Sequence, residues 1–214
     1  MDQVPIIRLD PSGNVENAIG RAAEILISGG LVAYPTESFY GLAVDATNEE
    51  AIKRLFSAKK RSTDMPILIL IPETEILGQY TEHIPAVAHR LISEFWPGGL
   101  TMVFESGPKV SPLLTAGTHK IGIRLSSHPV ATALTRAIGV PISGTSANIS
   151  GQPACRNAGE ILHSFGNDVG LILDGGESTS IVGSTVLDVT LHPPRVLREG
   201  MVRRSDLEKF DLCG

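Results

Sequence analysis

Apolar residues recur at helical spacing in several stretches of the chain and form short unbroken runs between them. From Val15 to Ser28 the stripe is Val15, Ile19, Ala22, Ile25 and Leu26, with Asn14 placed to cap it and Gly29-Gly30 to stop it. Thr47 and Glu50 have capping-box spacing and open a second helix carrying Ile52, Leu55 and Phe56, which runs out at Ser57-Ala58. The same spacing predicts helices over Pro85–Phe95, over His128–Ile138 behind a Ser127 cap, and over Ala158–Phe165; Ser205 and Glu208 offer a capping box for a last short one. The runs Leu31–Tyr34, Ile67–Ile71, Leu100–Phe104, Lys120–Leu125, Val140–Ser143, Leu171–Leu173, Thr185–Val189 and Arg195–Leu197 read as strands. Ile67–Ile71 has no polar break and is expected to be a central strand covered on both faces. Helices alternate with strands until a strand-rich tail, which predicts an α/β protein with a mixed rather than purely parallel sheet. No repeat or linker interrupts the pattern, so residues 1–214 read as a single domain.

Polar residues gather where these strands end. Leu31–Gly41 begins as an apolar strand, breaks at Pro35 and puts Thr36, Glu37, Ser38 and Tyr40 on the turn beyond its carboxyl end, where ligands sit in open α/β sheets. Alone, that turn could simply be hydrated. The balance changes because Lys59–Arg61, Arg124–His128, Ser146–Gly151, Ser184-Thr185 and Arg198-Glu199-Gly200 repeat the pattern. They supply hydroxyls, an amide and fixed cations but no nucleophile–base pair, an inventory suited to an anionic ligand. Any one of these cations is more often a solvated surface charge. Arg124 differs: it ends the apolar run Ile121-Gly122-Ile123, where a lone charge would be costly, so it is expected to meet an anion.

Bulk composition adds limits. Of 214 residues, 42% are hydrophobic and 19% charged, enough to build a core mainly of Leu, Ile, Val and Ala. A net charge of −5 argues against a surface given over to nucleic acid but leaves room for a local basic cleft. Cys155 and Cys213 form no zinc or redox spacing, and the histidines are scattered, so no metal site is predicted. The start of the chain lacks signal-peptide features and no apolar run could span a bilayer, so a cytoplasmic protein without membrane attachment is expected. The G-x-x-x-x-G-K-[ST] and G-x-G-x-x-G fingerprints are absent, and Asn148 stands where a nucleophile elbow would close with glycine.

The segment Tyr34-Pro35-Thr36-Glu37-Ser38-Phe39-Tyr40-Gly41-Leu42 resembles the P-T-E-[TS]-x-Y-G-L signature of the YrdC-like family. Lys59-Lys60-Arg61 is similar to its K-x-R motif, and the likeness continues through Trp96–Thr101, Arg124–Pro129, Ser146–Gly151, Ser184–Val186 and Leu197–Gly200, over about residues 15–202. The resemblance implies a twisted mixed sheet with flanking helices and a basic concave cavity. It implies synthesis of L-threonylcarbamoyladenylate and pyrophosphate from L-threonine, bicarbonate and ATP, on the route to N6-threonylcarbamoyladenosine in tRNA. Thr36, Arg124 and Ser184 would then hold threonine; Lys59, Arg61, Ser146, Asn148 and Arg198 would bind ATP, with Lys59 and Arg61 catalytic. Mg²⁺ would be held by the phosphates, a tRNA threonylcarbamoyl transferase would take the product, and contact with tRNA or double-stranded RNA is implied. Ser62, Met65-Pro66, Leu70 and Lys120 depart from the family pattern, Leu70 replacing a histidine and Lys120 a small hydroxyl residue. The chain resembles the short, single-domain form. Two other readings stay open here: an RNA- or nucleotide-binding module without turnover, and an enzyme handling carbamoyl-adenylate.

Overall fold

The computed structural model describes residues 4–10, 13, 15–180 and 182–210. The elements run β1 (Ile6–Arg8), α1 (Val15–Ile27), β2 (Val32–Tyr34), β3 (Gly41–Ala43), α2 (Glu49–Ala58), β4 (Leu68–Leu70), α3 (Ala86–Phe95), β5 (Leu100–Glu105), α4 (Pro112–Thr115), β6 (Lys120–Arg124), α5 (Pro129–Ile138), β7 (Ile142–Ser146), α6 (Ala158–Phe165), β8 (Leu171–Asp174), β9 (Thr185–Asp188), β10 (Arg195–Arg198) and α7 (Arg204–Leu207). Among the described residues the strands form one sheet in the order β1-β8-β2-β3-β7-β4-β6-β5-β9-β10. The pairs β1·β8, β8·β2, β4·β6 and β5·β9 are parallel and the others antiparallel, so the sheet is mixed, as the sequence pattern predicts.

The two faces of the sheet are covered unequally. One carries Ile69, Met102, Phe104, Ile121, Ile123 and Leu187 under α2, α3 and α6, in a continuous apolar core. On the other, Ala22 and Leu26 of α1 and Leu134 of α5 pack over Val32, Tyr34, Leu70, Ile142 and Leu171. Those two helices stop short of the β6-β5-β9-β10 half, and the uncovered part is a concave cavity. Ile67–Ile71 is therefore not sealed on both faces, because Leu68 lines that cavity. Leu70 is fully buried beneath α5, opposite Arg124 in register.

Helix starts differ by one or two residues from the expected caps. Asn48, not Thr47, caps α2 through its side-chain oxygen, while the Thr47 hydroxyl donates to Asp45 (2.6 Å). His128, not Ser127, caps α5, its Nδ1 accepting from Val130 N (3.2 Å), and Gly139 ends the helix at φ 72°. α7 begins behind Arg203, with the Asp206 carboxylate accepting from the Arg203 N–H, rather than on a Ser205–Glu208 box. Asn14 and Cys213 lie outside the described residues; Cys155 is a buried free thiol. Among the described residues no helix is long and apolar enough to cross a membrane.

Candidate active site

The cavity encloses about 730 Å³. Its floor is made by alternate residues of neighbouring strands, and it is deep because three of these positions are glycines. A Cβ on Gly122 would come within 3.0 Å of Leu68 Cβ, one on Gly144 within 2.2 Å of Leu68 Cδ1, and one on Gly41 within 2.8 Å of the Tyr34 ring. Any side chain at these positions would collide with a neighbour or fill the floor.

At one end stands Arg124, at the carboxyl end of β6 and buried. The anion it meets is internal: Nη1 donates to Glu37 Oε1 at 2.6 Å, and Ser126 Oγ donates to Glu37 Oε2 at 2.5 Å. Glu37 takes only one corner of the guanidinium. Among the described residues Nε is buried without a partner, a state rare for buried polar groups in native proteins. Thr36, which precedes Glu37 on the same turn, donates its hydroxyl to Phe39 O (2.6 Å) and so closes the Pro35–Tyr40 turn. Tyr40 ties that turn to the segment after β8, donating to Gly176 O (2.6 Å) while accepting from Gly175 N (2.9 Å); burial above all pushes its pKa up to about 12.

Ser184 and Arg198 form the adjoining wall. Ser184 Oγ shares a hydrogen bond with Thr101 Oγ1 (2.9 Å), and Arg198 donates through Nε and Nη2 to Ser184 O (3.2 and 2.8 Å). Burial first, and then the Arg124 charge, hold the Arg198 pKa below its ordinary value. Gly200 makes this wall possible, since a Cβ there would lie 2.2 Å from Gly183 O and 2.6 Å from Ser184 C. Gly200→Ala should therefore destabilise the fold by about 1–3 kcal/mol. Urea denaturation measures it, and an unchanged midpoint would contradict the packing.

Arg61 and Ser146 also line the cavity. Arg61 reaches it from the loop after α2, with Nη2 donating to Pro66 O (2.9 Å) and Nε to Met65 O (3.3 Å), and among the described residues no carboxylate pairs with it. Lys59 behaves differently from the expectation of a cation in an exposed polar loop. It ends α2, is 1% exposed, and does not line the cavity. Its ammonium donates to Ser146 O (2.5 Å), Asn148 O (2.8 Å) and Asn148 Oδ1 (3.3 Å), while its own carbonyl accepts from Ser150 N (2.8 Å). Burial chiefly, with the Arg61 charge behind it, pulls its pKa down to about 7. Asn148 is likewise turned inward: Oδ1 accepts from Ser146 Oγ (2.6 Å) and Nδ2 donates to Gln152 O (2.7 Å). Of the sequence-predicted set, the structure brings Thr36, Arg61, Arg124, Ser146, Ser184 and Arg198 to the cavity, and leaves Lys59 and Asn148 behind its wall.

Lining residues outside the expected set include a charged pair. Lys120 and Asp188 form an ion pair (2.9 Å) at the end of the cavity away from Arg124. Lys120 was visible as a departure from the family pattern; its partner, on a strand 68 residues later, carried no sequence signal.

The sequence and the fold are both similar to known proteins. The family model Sua5_yciO_yrdC, described as telomere recombination, covers residues 24–200. A threonylcarbamoyl-AMP synthase of Pyrococcus abyssi is 39% identical over 188 residues, 88% of this chain and 55% of that protein. The crystal structure of P. abyssi Sua5 complexed with L-threonine superposes with a TM-score of 0.90 at 37% identity, over 96% of this chain and 60% of the other. E. coli YciO superposes with a TM-score of 0.85 at 29% identity, over 98% of this chain and all of its own. The chain spans about half the length of the first curated relatives it matches. Because the matching family model takes in every polar stretch of the cavity, from Thr36 to Arg198, the chain belongs to the Sua5/YciO/YrdC family.

Proposed function

We propose that this chain forms L-threonylcarbamoyladenylate and pyrophosphate from L-threonine, bicarbonate and ATP, as one cytoplasmic domain feeding a tRNA threonylcarbamoyl transferase. The observation that carries the proposal is the buried, unpartnered Nε of Arg124 in the wall of a cavity whose other cations include Arg61 and Arg198. A carboxylate that reaches this guanidinium would satisfy that donor, and the relatives named as threonylcarbamoyl-AMP synthases supply the substrate class. Thr36 and Ser184 complete the threonine end. Bicarbonate takes up a proton and loses water to give carbon dioxide, the threonine amine adds to it and releases a proton to form a carbamate, and a carbamate oxygen then attacks the α-phosphorus as pyrophosphate leaves. No protein nucleophile is required. The chain's part is to hold two anionic reactants in line and to neutralise charge on the phosphates with Arg61 and Arg198. Ser146 faces the nucleotide, with Lys59 and Asn148 fixing its loop.

Mg²⁺ fits as an ion held mainly by phosphates and water. Among the described residues no group of three or more His, Cys, Asp or Glu gathers for it; Glu199 is among the lining residues, one of its carboxylate oxygens accepting from Arg204 N (3.0 Å). When bound, it neutralises phosphate charge. The test is pyrophosphate release from ATP with Mg²⁺ and bicarbonate, with and without L-threonine. Threonine-dependent release with an adenylate product by mass spectrometry is expected. ATP or RNA binding with no release would replace the proposal by a non-catalytic role.

A further inference from the structure

Along β6 the cavity-facing positions are Lys120, Gly122 and Arg124. At about 3.3 Å per residue the Cα atoms of Lys120 and Arg124 stand roughly 13 Å apart over a floor left open by glycine. Residues just beyond Arg124 on this strand do not line the cavity, so a ligand held at Arg124 extends towards Lys120. Arg61 belongs to that far end too. It is bonded to Pro66 O, just before β4, and β4 runs parallel to β6 with Leu70 opposite Arg124.

The Lys120 site is built. Asp188 is nearly buried, with Oδ1 accepting from Thr190 N (2.9 Å) and Oγ1 (2.6 Å) and Oδ2 accepting from Lys120 Nζ (2.9 Å). The carboxylate is thereby locked, while the partly exposed ammonium has used one of its three donors. Among the described residues its remaining N–H groups have no partner and can serve a ligand.

Chemistry then assigns this end. Five covalent bonds separate the threonine carboxyl carbon from phosphorus in the adenylate, an extended reach of about 6 Å. A carboxylate on Arg124 thus sets the α-phosphorus near Gly122, half-way along the strand. As the carbamate oxygen–phosphorus bond forms, the bond from the α-phosphorus to its bridging oxygen breaks, and that electron pair leaves with pyrophosphate. Attacking and leaving oxygens lie on opposite sides of phosphorus. We infer that Lys120, braced by Asp188, acts with Arg61 to receive the departing pyrophosphate, an assignment that rests on the adenylate-forming reading above.

Calorimetric titration with magnesium pyrophosphate alone tests this without turnover. Lys120→Met should weaken pyrophosphate binding about tenfold, and Lys120→Arg should restore it to within about threefold. Where the lone Asp188 carboxylate undermines folding of Lys120→Met, the Lys120→Met/Asp188→Asn pair replaces it. Unchanged pyrophosphate affinity, or weakened adenosine binding in its place, overturns the assignment. Failure of the wild-type chain to make the adenylate while it still binds pyrophosphate through Lys120 would instead count against the reaction.

Discussion

Arg124→Lys is expected to fold normally and to need about 30-fold more L-threonine or worse, a loss of some 2 kcal/mol of charge-assisted contact. The split between folding and binding follows from how the guanidinium is used. One corner, Nη1, holds Glu37, which is 11% exposed at the side chain and also takes the Ser126 hydroxyl. A lysine ammonium can keep that partner. It cannot also offer the neighbouring Nε–H as part of a planar fork, and that donor is the one left unpaired among the described residues. ATP affinity in the absence of threonine should change far less than threonine dependence. Arg124→Met should behave differently: leaving Glu37 buried and uncompensated costs about 3–5 kcal/mol, and thermal unfolding should show it. A lysine variant with unaltered threonine dependence would remove Arg124 from the carboxylate site, whatever its effect on stability.

Much of this was legible before the fold was known, and the misses share a cause. The helical stripes of α1, α2, α3, α5 and α6 were visible because each buries one face of a regular period. β3 was not, since Gly41-Leu42-Ala43 has three buried residues and no alternation; it is a strand because Tyr34 and Ser146 lie on either side of Gly41. β7 continues through Gly144-Thr145-Ser146, a sequence that reads as a turn, because Leu68 fills the space that a side chain on Gly144 would need. The cavity cations were legible as a set, but not their partners. Glu37 lies 87 residues from Arg124, and the acceptors of Lys59 are 87 and 89 residues away, two of them backbone carbonyls that no side-chain pattern can announce. A cation in Lys59-Lys60-Arg61 reads as solvated; only the fold shows that the first is enclosed and the third faces the cavity.

Lys59→Met should therefore act through the wall and not through a phosphate contact. The substitution leaves Ser146 O, Asn148 O and Asn148 Oδ1 without their shared donor and frees the segment that presents Ser146. Turnover should fall about 100-fold, the scale of a displacement near 1 Å in a positioned site, while affinity for free pyrophosphate stays within about threefold. The charged groups acting on this ammonium are Arg61, which opposes the charge, and Cys155, which favours it once ionised; burial outweighs both. An unfolded lysine holds its proton to about pH 10.4, whereas the folded Lys59 releases it near 7. Between those values the unfolded state binds more protons, so wild-type stability gains from Lys59 as pH rises from about 7 towards 10. The clamp runs the other way, because the ammonium has three donors and the neutral amine two. Raising the pH should thus stabilise the fold while loosening the Ser146 wall. Urea titrations at about pH 6 and pH 9 should give a smaller pH difference for Lys59→Met than for wild type, and equal differences would mean that Lys59 keeps its proton throughout. A selective loss of pyrophosphate affinity in the methionine variant would restore a direct phosphate role, and would require the α2 terminus to open before the nucleotide binds.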